Sequence, residues 1–360
     1  MSRPEKILAL QFKYFGDAVL LTPALRALHE HFPQAEIHVL VSQQIAPLFQ
    51  HLPWITRVWA MPRRRGSAAL RETWPFIRAL RRERFDRSVD FASNDRGAIL
   101  SLLIGARQRL GWSEAGGFLG RKLCYNQRVV SEKNHPHESL RLLRLLSAWQ
   151  VPPPRQPEAE IRANPALAEA ARQILPAENA ILCHVASSQP KKEWPVKHWV
   201  ELFHLTRAAG LELVFTTAQG EREAALMTEL RQLAPEAPIL PPVPDLALFI
   251  AVLARAKAFV SGDTGPLHFA AGLGVPTLSL FGPTPPSRWA PPGQRHHHLT
   301  GGTCTCDAHS AICTAPQHCL AEITPAQVLS ALQKLSPRSA GGRHGARTSW
   351  TAQGQDIVDS

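Results

Sequence analysis

The chain has 360 residues, of which 44% are hydrophobic, and this is enough to bury two cores of ordinary domain size. It has no run of about 18 apolar residues, and its first residues lack the long apolar region of a secretory signal, so we expect a cytoplasmic protein without a membrane span. The formal net charge of +11 favours an anionic partner, namely a nucleic acid, a phosphorylated glycan or an acidic membrane face.

The first half of the chain alternates between short apolar runs and amphipathic stretches. Strands are predicted over residues 6–12, 36–41, 56–61 and 87–91, and helices over residues 17–32, 45–52 and 67–83. This alternation is typical of an α/β fold in which helices cover a parallel sheet.

A proline-rich segment, VPPPRQP at residues 151–157, interrupts the pattern and predicts a stiff connector between two domains. The alternation then resumes, with strands predicted over residues 180–185, 211–216, 256–260 and 277–281, and helices over residues 165–175, 199–209, 221–233 and 246–254. From residue 336 onward the composition predicts a disordered tail. We therefore expect domains at 1–157 and 158–335, followed by a tail at 336–360.

The segment from 261 to 286 packs a strand end, a polar turn, a short helix and a second strand into one unit. Thr264 is a natural N-cap, and a helix that opens off a strand directs free backbone N–H groups and a positive dipole end outward. Asp263, Gly265 and His268 join Thr264 at this opening. The turn is either an anion site or a well-capped crossover whose histidine faces solvent.

Gly16 and Asp17 lie between the first predicted strand and helix. Asp17 either caps the helix, which is a common role for aspartate, or points into a cleft as an ionised carboxylate that accepts a proton.

Two loops of the second half carry groups suited to a nucleotide. Ser187, Ser188 and Lys192 follow a buried strand and can hold a diphosphate through hydroxyl hydrogen bonds and a point charge, although a solvated turn is the alternative. Glu221 begins a predicted helix, where it either complements the helix dipole or binds a ribose hydroxyl.

Taken together, the loops form an ordered set of motifs. They are Gly16-Asp17 with Thr22-Pro23-Ala24-Leu25, Lys192-x-Trp194-Pro195, Asp263-Thr264-Gly265 with His268, and Phe281-Gly282-Pro283-Thr284-x-Pro286. This set resembles the ADP-heptose:lipopolysaccharide heptosyltransferases over roughly residues 5–335, as ordered motifs are more specific than single ones. The region from 13 to 17 is most similar to the branch that adds a later heptose to the inner core.

The resemblance implies a GT-B fold, in which two Rossmann-like, doubly wound domains face a central cleft. The N-terminal domain would take the acceptor and the C-terminal domain an ADP-sugar donor, with inversion at the anomeric centre and no required cofactor. The implied roles are a general base at Asp17, diphosphate contacts at Ser187, Ser188 and Lys192, a ribose contact at Glu221, and phosphate and heptose contacts at Asp263, Thr264, Gly265 and His268. Family members commonly carry Thr at one or both serine positions and a basic residue at the position of Glu193.

Sugar transfer requires this division of labour, because breaking the glycosidic bond develops negative charge on the departing diphosphate while the attacking hydroxyl loses a proton. The sequence has no Asp-x-Asp pair at the end of a predicted strand, so it does not indicate a required divalent ion.

Basic residues concentrate in the N-terminal half, near the expected acceptor side, at Arg63, Arg64, Arg65, Arg71, Arg78, Arg81, Arg82, Arg84 and Arg87. They form either a solvated basic helix or a surface that docks on anionic lipid at the inner face of the membrane, and Lys13, Arg63 and Arg64 are candidate contacts to a lipid-linked phosphorylated glycan.

Four cysteines, Cys304, Cys306, Cys313 and Cys319, are spaced C-x-C-x6-C-x5-C near the end of the second predicted domain. The spacing differs from the standard cysteine pairs of a structural zinc site. We therefore interpret the cluster as a feature of the family without a catalytic role, and a structural metal site is the less favoured alternative. A cytoplasmic setting disfavours stable disulfides.

Three alternatives remain open from the sequence. A transferase of the same family with another nucleotide sugar would differ only in its donor. A nucleotide-sugar epimerase of similar architecture would turn over its donor without an acceptor. A basic nucleic-acid-binding protein would bind duplex tightly and with strong salt dependence, but the chain shows no recognised nucleic-acid module.

Overall fold

The computed structural model describes residues 3–62, 68–113, 117–118, 120–131, 137–217, 219–306 and 310–335, without the side chains of 68–72. The candidate acceptor contacts Arg63 and Arg64 and the tail predicted at 336–360 lie outside the described residues.

The first part of the chain forms a parallel six-stranded sheet. Its strands and α-helices are β1 (Lys6–Gln11), α1 (Phe15–Leu20), α2 (Thr22–His31), β2 (Glu36–Ser42), β3 (Arg57–Met61), α3 (Ala68–Arg82), β4 (Arg87–Asp90), α4 (Asp95–Ile104), β5 (Gln108–Trp112), β6 (Gln127–Val129) and α5 (Glu138–Leu145). The strand order is β3-β2-β1-β4-β5-β6. The order reverses between β1 and β4, so the loops that follow these two strands open into a crevice.

The second part forms a parallel five-stranded sheet. Its elements are α6 (Ala168–Ile174), β7 (Ile181–His184), α7 (Val196–Ala208), β8 (Leu213–Thr216), α8 (Glu221–Leu233), α9 (Leu246–Leu253), β9 (Ala258–Gly262), α10 (Gly265–Gly272), β10 (Thr277–Phe281), α11 (Pro286–Trp289), β11 (His296–Thr300) and α12 (Pro325–Lys334). The order β11-β10-β9-β7-β8 reverses between β7 and β9. The predicted donor loops that carry Lys192 and Asp263 follow these two strands and therefore meet at the second crevice, whereas Glu221 follows β8.

Short 3-10 turns complete the description, at Gln43–Leu48, Arg121–Cys124, Leu146–Trp149, Pro165–Leu167, Pro190–Lys192 and Cys319–Glu322. Among the described residues, no helix is long and apolar enough to cross a membrane.

The predicted alternation and the two parallel sheets are confirmed, and the helix at Glu221–Leu233 and the strand at Thr277–Phe281 have the predicted bounds. The single helix predicted over 17–32 is wrong. The chain forms α1 and α2 instead, because Pro23 starts a new helix and the Thr22 hydroxyl donates to the Val19 carbonyl at 2.8 Å. No element was predicted between 92 and 150, where α4, β5, β6 and α5 are found.

Helices on both faces bury the sheets, and the inner strands are apolar on both sides as parallel strands require. The largest apolar core is continuous from the first sheet to the second. α1 packs against α10, where the rings of Phe15 and Phe269 meet edge to face at 6.0 Å.

The segment after the proline-rich connector contacts both parts of the chain. The Glu160 N–H donates to the Thr22 hydroxyl at 2.9 Å, and the Ile161 N–H donates to the Gly272 carbonyl at 2.9 Å. The domain division at 157/158 stays a prediction.

Candidate active site

Asp17 lies inside the first turn of α1 and does not cap the helix, because the N-cap is Tyr14 and no side chain provides a cap hydrogen bond there. The residue is only 9% exposed. Burial raises the pKa of the Asp17 carboxyl, opposed by the positive charges of Lys13 and Arg141 and reinforced by the negative charge of Glu138. The capping interpretation of Asp17 is therefore wrong, and the residue is a buried carboxyl with a raised pKa.

Lys192 and Asp263 come together although they follow different strands, β7 and β9. The Lys192 ammonium lies 2.7 Å from the Asp263 carboxylate, and the hydroxyl of Thr284, after β10, donates to the same carboxylate oxygen at 2.9 Å. Three loops thus converge on one ion pair, which holds the lysine in place.

The predicted N-cap at Thr264 is confirmed, because its hydroxyl accepts from the Leu267 N–H at 3.4 Å. Gly265 starts α10 at the domain interface, where an added Cβ would lie 3.2 Å from the Cβ of Phe15. The positive end of α10 therefore lies against the first turn of α1, which carries Asp17.

His268 is buried at 4% exposure, so the interpretation in which it faces solvent is wrong. Burial lowers its pKa to about 4, although the nearby Asp263 carboxylate opposes this shift. The imidazole is therefore neutral at pH 7, and its Nδ1 has no hydrogen-bond partner among the described residues. A Cβ added to Gly16 would lie 2.8 Å from the ring, so His268 packs against the first turn of α1, which carries Asp17.

The two serines differ in their environment. Ser187 is buried, and its hydroxyl has no hydrogen-bond partner among the described residues, whereas Ser188 is exposed. An unsatisfied buried hydroxyl is costly unless a ligand completes it, which suits a diphosphate contact.

Arg222 is a site residue that the sequence argument missed. Its guanidinium pairs with Glu193 and donates to the Ser187 carbonyl, while the Ser187 N–H donates to Glu193 at 2.9 Å. Glu193 thereby holds a cation beside the same serine. The preceding residue, Glu221, is exposed in the first turn of α8, and its ribose role stays a prediction.

Lys13 is half-buried, and its charge acts on both Asp17 and Glu138. Arg81 and Arg87, two members of the predicted basic surface, make hydrogen bonds to other parts of the chain, although Arg81 is exposed. Arg81 donates to the Leu103 carbonyl at 2.6 Å, and Arg87 to Glu5 at 2.5 Å.

A second buried carboxylate, also unpredicted, lies at the end of β4. Asp90 is fully buried, and burial raises its pKa to about 6 although the Tyr125 hydroxyl donates to it at 2.5 Å. A Cβ at Gly97 would overlap this carboxylate, so the helix after β4 packs directly on it. An aspartate at the end of a predicted strand, next to the point where the strand order reverses, was the available signal.

The four cysteines lie near one another. The sulfurs of Cys306 and Cys313 are 3.3 Å apart, and Cys304 interacts with Cys306 and Cys319. Within the described part of the chain, no three or more His, Cys, Asp or Glu side chains form a group that could hold a metal ion.

The family model described as glycosyltransferase family 9 (heptosyltransferase) matches residues 73–315, more than half of the chain. The chain belongs to this family. The family 9 protein is similar to lipopolysaccharide heptosyltransferase 2 of Escherichia coli K12, with 26% identity over 359 residues that cover 92% of this chain and 98% of that protein.

Solved structures share the fold of this family 9 protein. A family 9 glycosyl transferase from Veillonella parvula superposes with a TM-score of 0.77 at 17% identity, covering 93% of this chain and 98% of that one. The E. coli heptosyltransferase WaaC with ADP-2-deoxy-2-fluoro heptose gives 0.70 at 22%, covering 92% and 100%. The predictions of a GT-B fold and of a glycosyltransferase are therefore confirmed.

Proposed function

We propose that the protein transfers a heptose from ADP-heptose to the inner core of lipopolysaccharide, with inversion at the anomeric carbon. The observation that carries this proposal is the arrangement of Asp17 on one side of the cleft and the Lys192–Asp263 pair on the other, with His268 packed against the first turn of α1 between them. The similarity to a heptosyltransferase of E. coli supports the heptose and the acceptor.

The second domain, predicted as 158–335, binds the donor in this proposal. The Lys192 ammonium and the N-terminal N–H groups of α10 stabilise the negative charge that develops on the departing diphosphate. Asp263 fixes the lysine at 2.7 Å, and the unpaired Ser187 hydroxyl supplies a further donor. The ADP-sugar is a substrate, and the reaction requires no cofactor.

Asp17 is the general base. Its carboxylate accepts the proton of the acceptor hydroxyl while the hydroxyl oxygen bonds to the anomeric carbon and the C–O bond to the diphosphate breaks on the opposite face. A carboxylate whose pKa is raised by burial is a stronger base than a solvated one. Such a base contributes about 10²–10⁴-fold in rate.

The first domain, predicted as 1–157, takes a lipid-linked phosphorylated glycan. Lys13 beside Asp17, with Arg63 and Arg64, provides the positive charge that this acceptor requires. The net charge of +11 supports peripheral docking of a cytoplasmic protein on the anionic inner face of the inner membrane, with no role for nucleic acid.

A transfer assay with ADP-heptose and truncated core acceptors tests the base. Asp17→Asn keeps the size of the side chain and removes the proton acceptor, so we expect turnover to fall by about 10²–10⁴-fold with donor binding retained. Near-normal turnover would show that Asp17 is not the base. Donor consumption without acceptor would point to an epimerase, and transfer from another nucleotide sugar would reassign the donor.

Lys192→Ala tests the donor site separately. Loss of a charge-assisted contact costs about 1.5–3 kcal/mol, or roughly 10–150-fold in donor affinity. Lys197→Ala is the matched control, because Lys197 is exposed on the following helix. Equal donor affinity in the two variants would contradict the assignment of Lys192.

A further inference from the structure

Glu138 is a buried carboxylate in the first turn of α5, on the acceptor side of the cleft, and is only 2% exposed. Arg141 donates to one of its oxygens through Nε at 2.9 Å and Nη2 at 2.6 Å. Burial alone would raise the pKa of Glu138, but hydrogen bonds and charge from Arg141, with Lys13 and Arg288, hold this pKa below its usual range. Glu138 is therefore ionised.

The other oxygen of Glu138 receives a hydrogen bond from the opposite domain. Arg288 in α11 donates to it through Nη2 at 3.2 Å, across 150 residues of sequence. A second contact lies beside it. The His137 Nδ1 accepts from the Ser139 N–H, so its Nε2 carries the proton and donates to the Ala290 carbonyl at 3.0 Å.

Arg288 lies in α11, directly after the loop that carries Thr284. It lies four residues after Thr284, whose hydroxyl binds the Asp263 carboxylate, which in turn holds Lys192. A movement of the donor loop relative to α5 therefore changes the distance from Arg288 to Glu138.

Several charged or titratable groups among the described residues lie near Asp17 and act on its protonation. They include Lys13 from the preceding loop, Glu138 and Arg141 from α5, and neutral His268 from α10. From α2, Arg26 turns away and donates to the Glu158 carbonyl at 2.7 Å. The 3-10 turn at Gln43–Leu48 carries no ionisable side chain.

We propose that Glu138 and Arg288 are a positioning pair that joins the domains and sets the charge state of Asp17. With Arg288 in place, its positive charge adds to that of Arg141 in offsetting Glu138, which favours an ionised Asp17 that is ready to act as a base. With Arg288 withdrawn, Glu138 keeps Arg141 as its hydrogen-bonded partner, but one positive charge is lost from this group and a protonated Asp17 is favoured. Base activation is thereby coupled to the position of the donor loop. This inference rests on the proposed role of Asp17.

The pH dependence of kcat distinguishes this role from a structural one. Glu138→Gln removes a negative charge near Asp17, so the acid limb of the kcat profile should move to lower pH. Arg288→Gln removes a positive charge and should move the limb to higher pH, each shift being about half to one unit. Arg288→Lys keeps the charge and should keep the limb. Arg295→Gln, an exposed change further along the same loop, is the matched control.

The inference would be overturned if the acid limb of the kcat profile stayed at the wild-type pH in Glu138→Gln and Arg288→Gln, or if it moved in the same direction in both variants. Should Glu138→Gln fail to fold, Arg288→Gln compared with Arg288→Lys decides, because Arg288 is about half exposed. Activity retained in Asp17→Asn would instead refute the base assignment. Loss of activity in Asp17→Asn together with an unshifted limb in Arg288→Gln would refute only the positioning pair.

Discussion

Gly16→Ala tests whether the two domains meet as the structure shows. Gly16 lies in α1, and an added Cβ would stand 2.8 Å from the His268 Cδ2 and 3.4 Å from its Nε2. The first separation is shorter than a van der Waals contact, and the ring is buried, so it has little room to turn. The methyl group must displace either the ring or the whole α10 side of the cleft.

The magnitude follows from two opposing effects. Overpacking at a close contact costs about 1–3 kcal/mol, whereas alanine in place of glycine in a helix gains at most about 1 kcal/mol. The clash lies between domains, so a small opening of the cleft relieves it and leaves each sheet intact. We expect unfolding stability within about 1 kcal/mol of wild type. The misplacement of His268 and Asp17 should lower kcat/KM by roughly 5–150-fold.

The assay is heptose transfer together with thermal unfolding. His268→Ala is itself expected to lower activity, but it removes the ring that the new methyl group meets. Gly16→Ala should therefore cost little further activity in the His268→Ala background, which gives a coupling between the two positions. Full transfer activity in Gly16→Ala would refute the reasoning, since the close contact would then not occur in the working enzyme.

Two other predictions concern titratable groups. Burial lowers the pKa of His184 and His268 from 6.5 to about 4, so the unfolded chain binds these protons first as the pH falls. The free energy of unfolding is therefore unaffected by these two histidines above pH 6.5 and falls as the pH drops toward 4. At pH 5 the loss is about 2 kcal/mol for each histidine. The urea midpoint should fall accordingly between pH 7 and pH 5, and equal midpoints would contradict this. The hydrogen bond from Cys313 lowers the pKa of Cys306 to about 7, whereas burial raises that of Cys183. Iodoacetamide at pH 7.5 should therefore label Cys306 before Cys183, as followed by mass spectrometry, and should label Cys306 more slowly in Cys313→Ala. Labelling of Cys183 at the same rate as Cys306 would contradict this prediction.

The sequence predicted those features that depend on neighbouring residues. The cap at Thr264 and the helix that follows it needed only local chemistry. The same reasoning could not decide whether Asp17 caps α1, because the start of that helix at Phe15 depends on how the preceding loop packs. Arg288 and Glu138 lie 150 residues apart, so only the tertiary fold reveals their hydrogen bond.

The contacts between the domains differ along the cleft, and this difference determines how it can open. On one side, α1 and α10 share an apolar seam, with the Phe15 and Phe269 rings in edge contact. On the other side, Arg288 reaches Glu138 while about half of its own side chain is exposed to water.

When Arg288 leaves, the buried Glu138 carboxylate keeps its hydrogen bonds from Arg141 and water can solvate the half-exposed Arg288, whereas separating the seam would lose an aromatic pair worth about 0.5–1.5 kcal/mol beyond the apolar area exposed. We therefore expect the polar side to part first, with the seam acting as the axis. The donor loops and Arg288 would then move together, away from the carboxylate that faces Asp17.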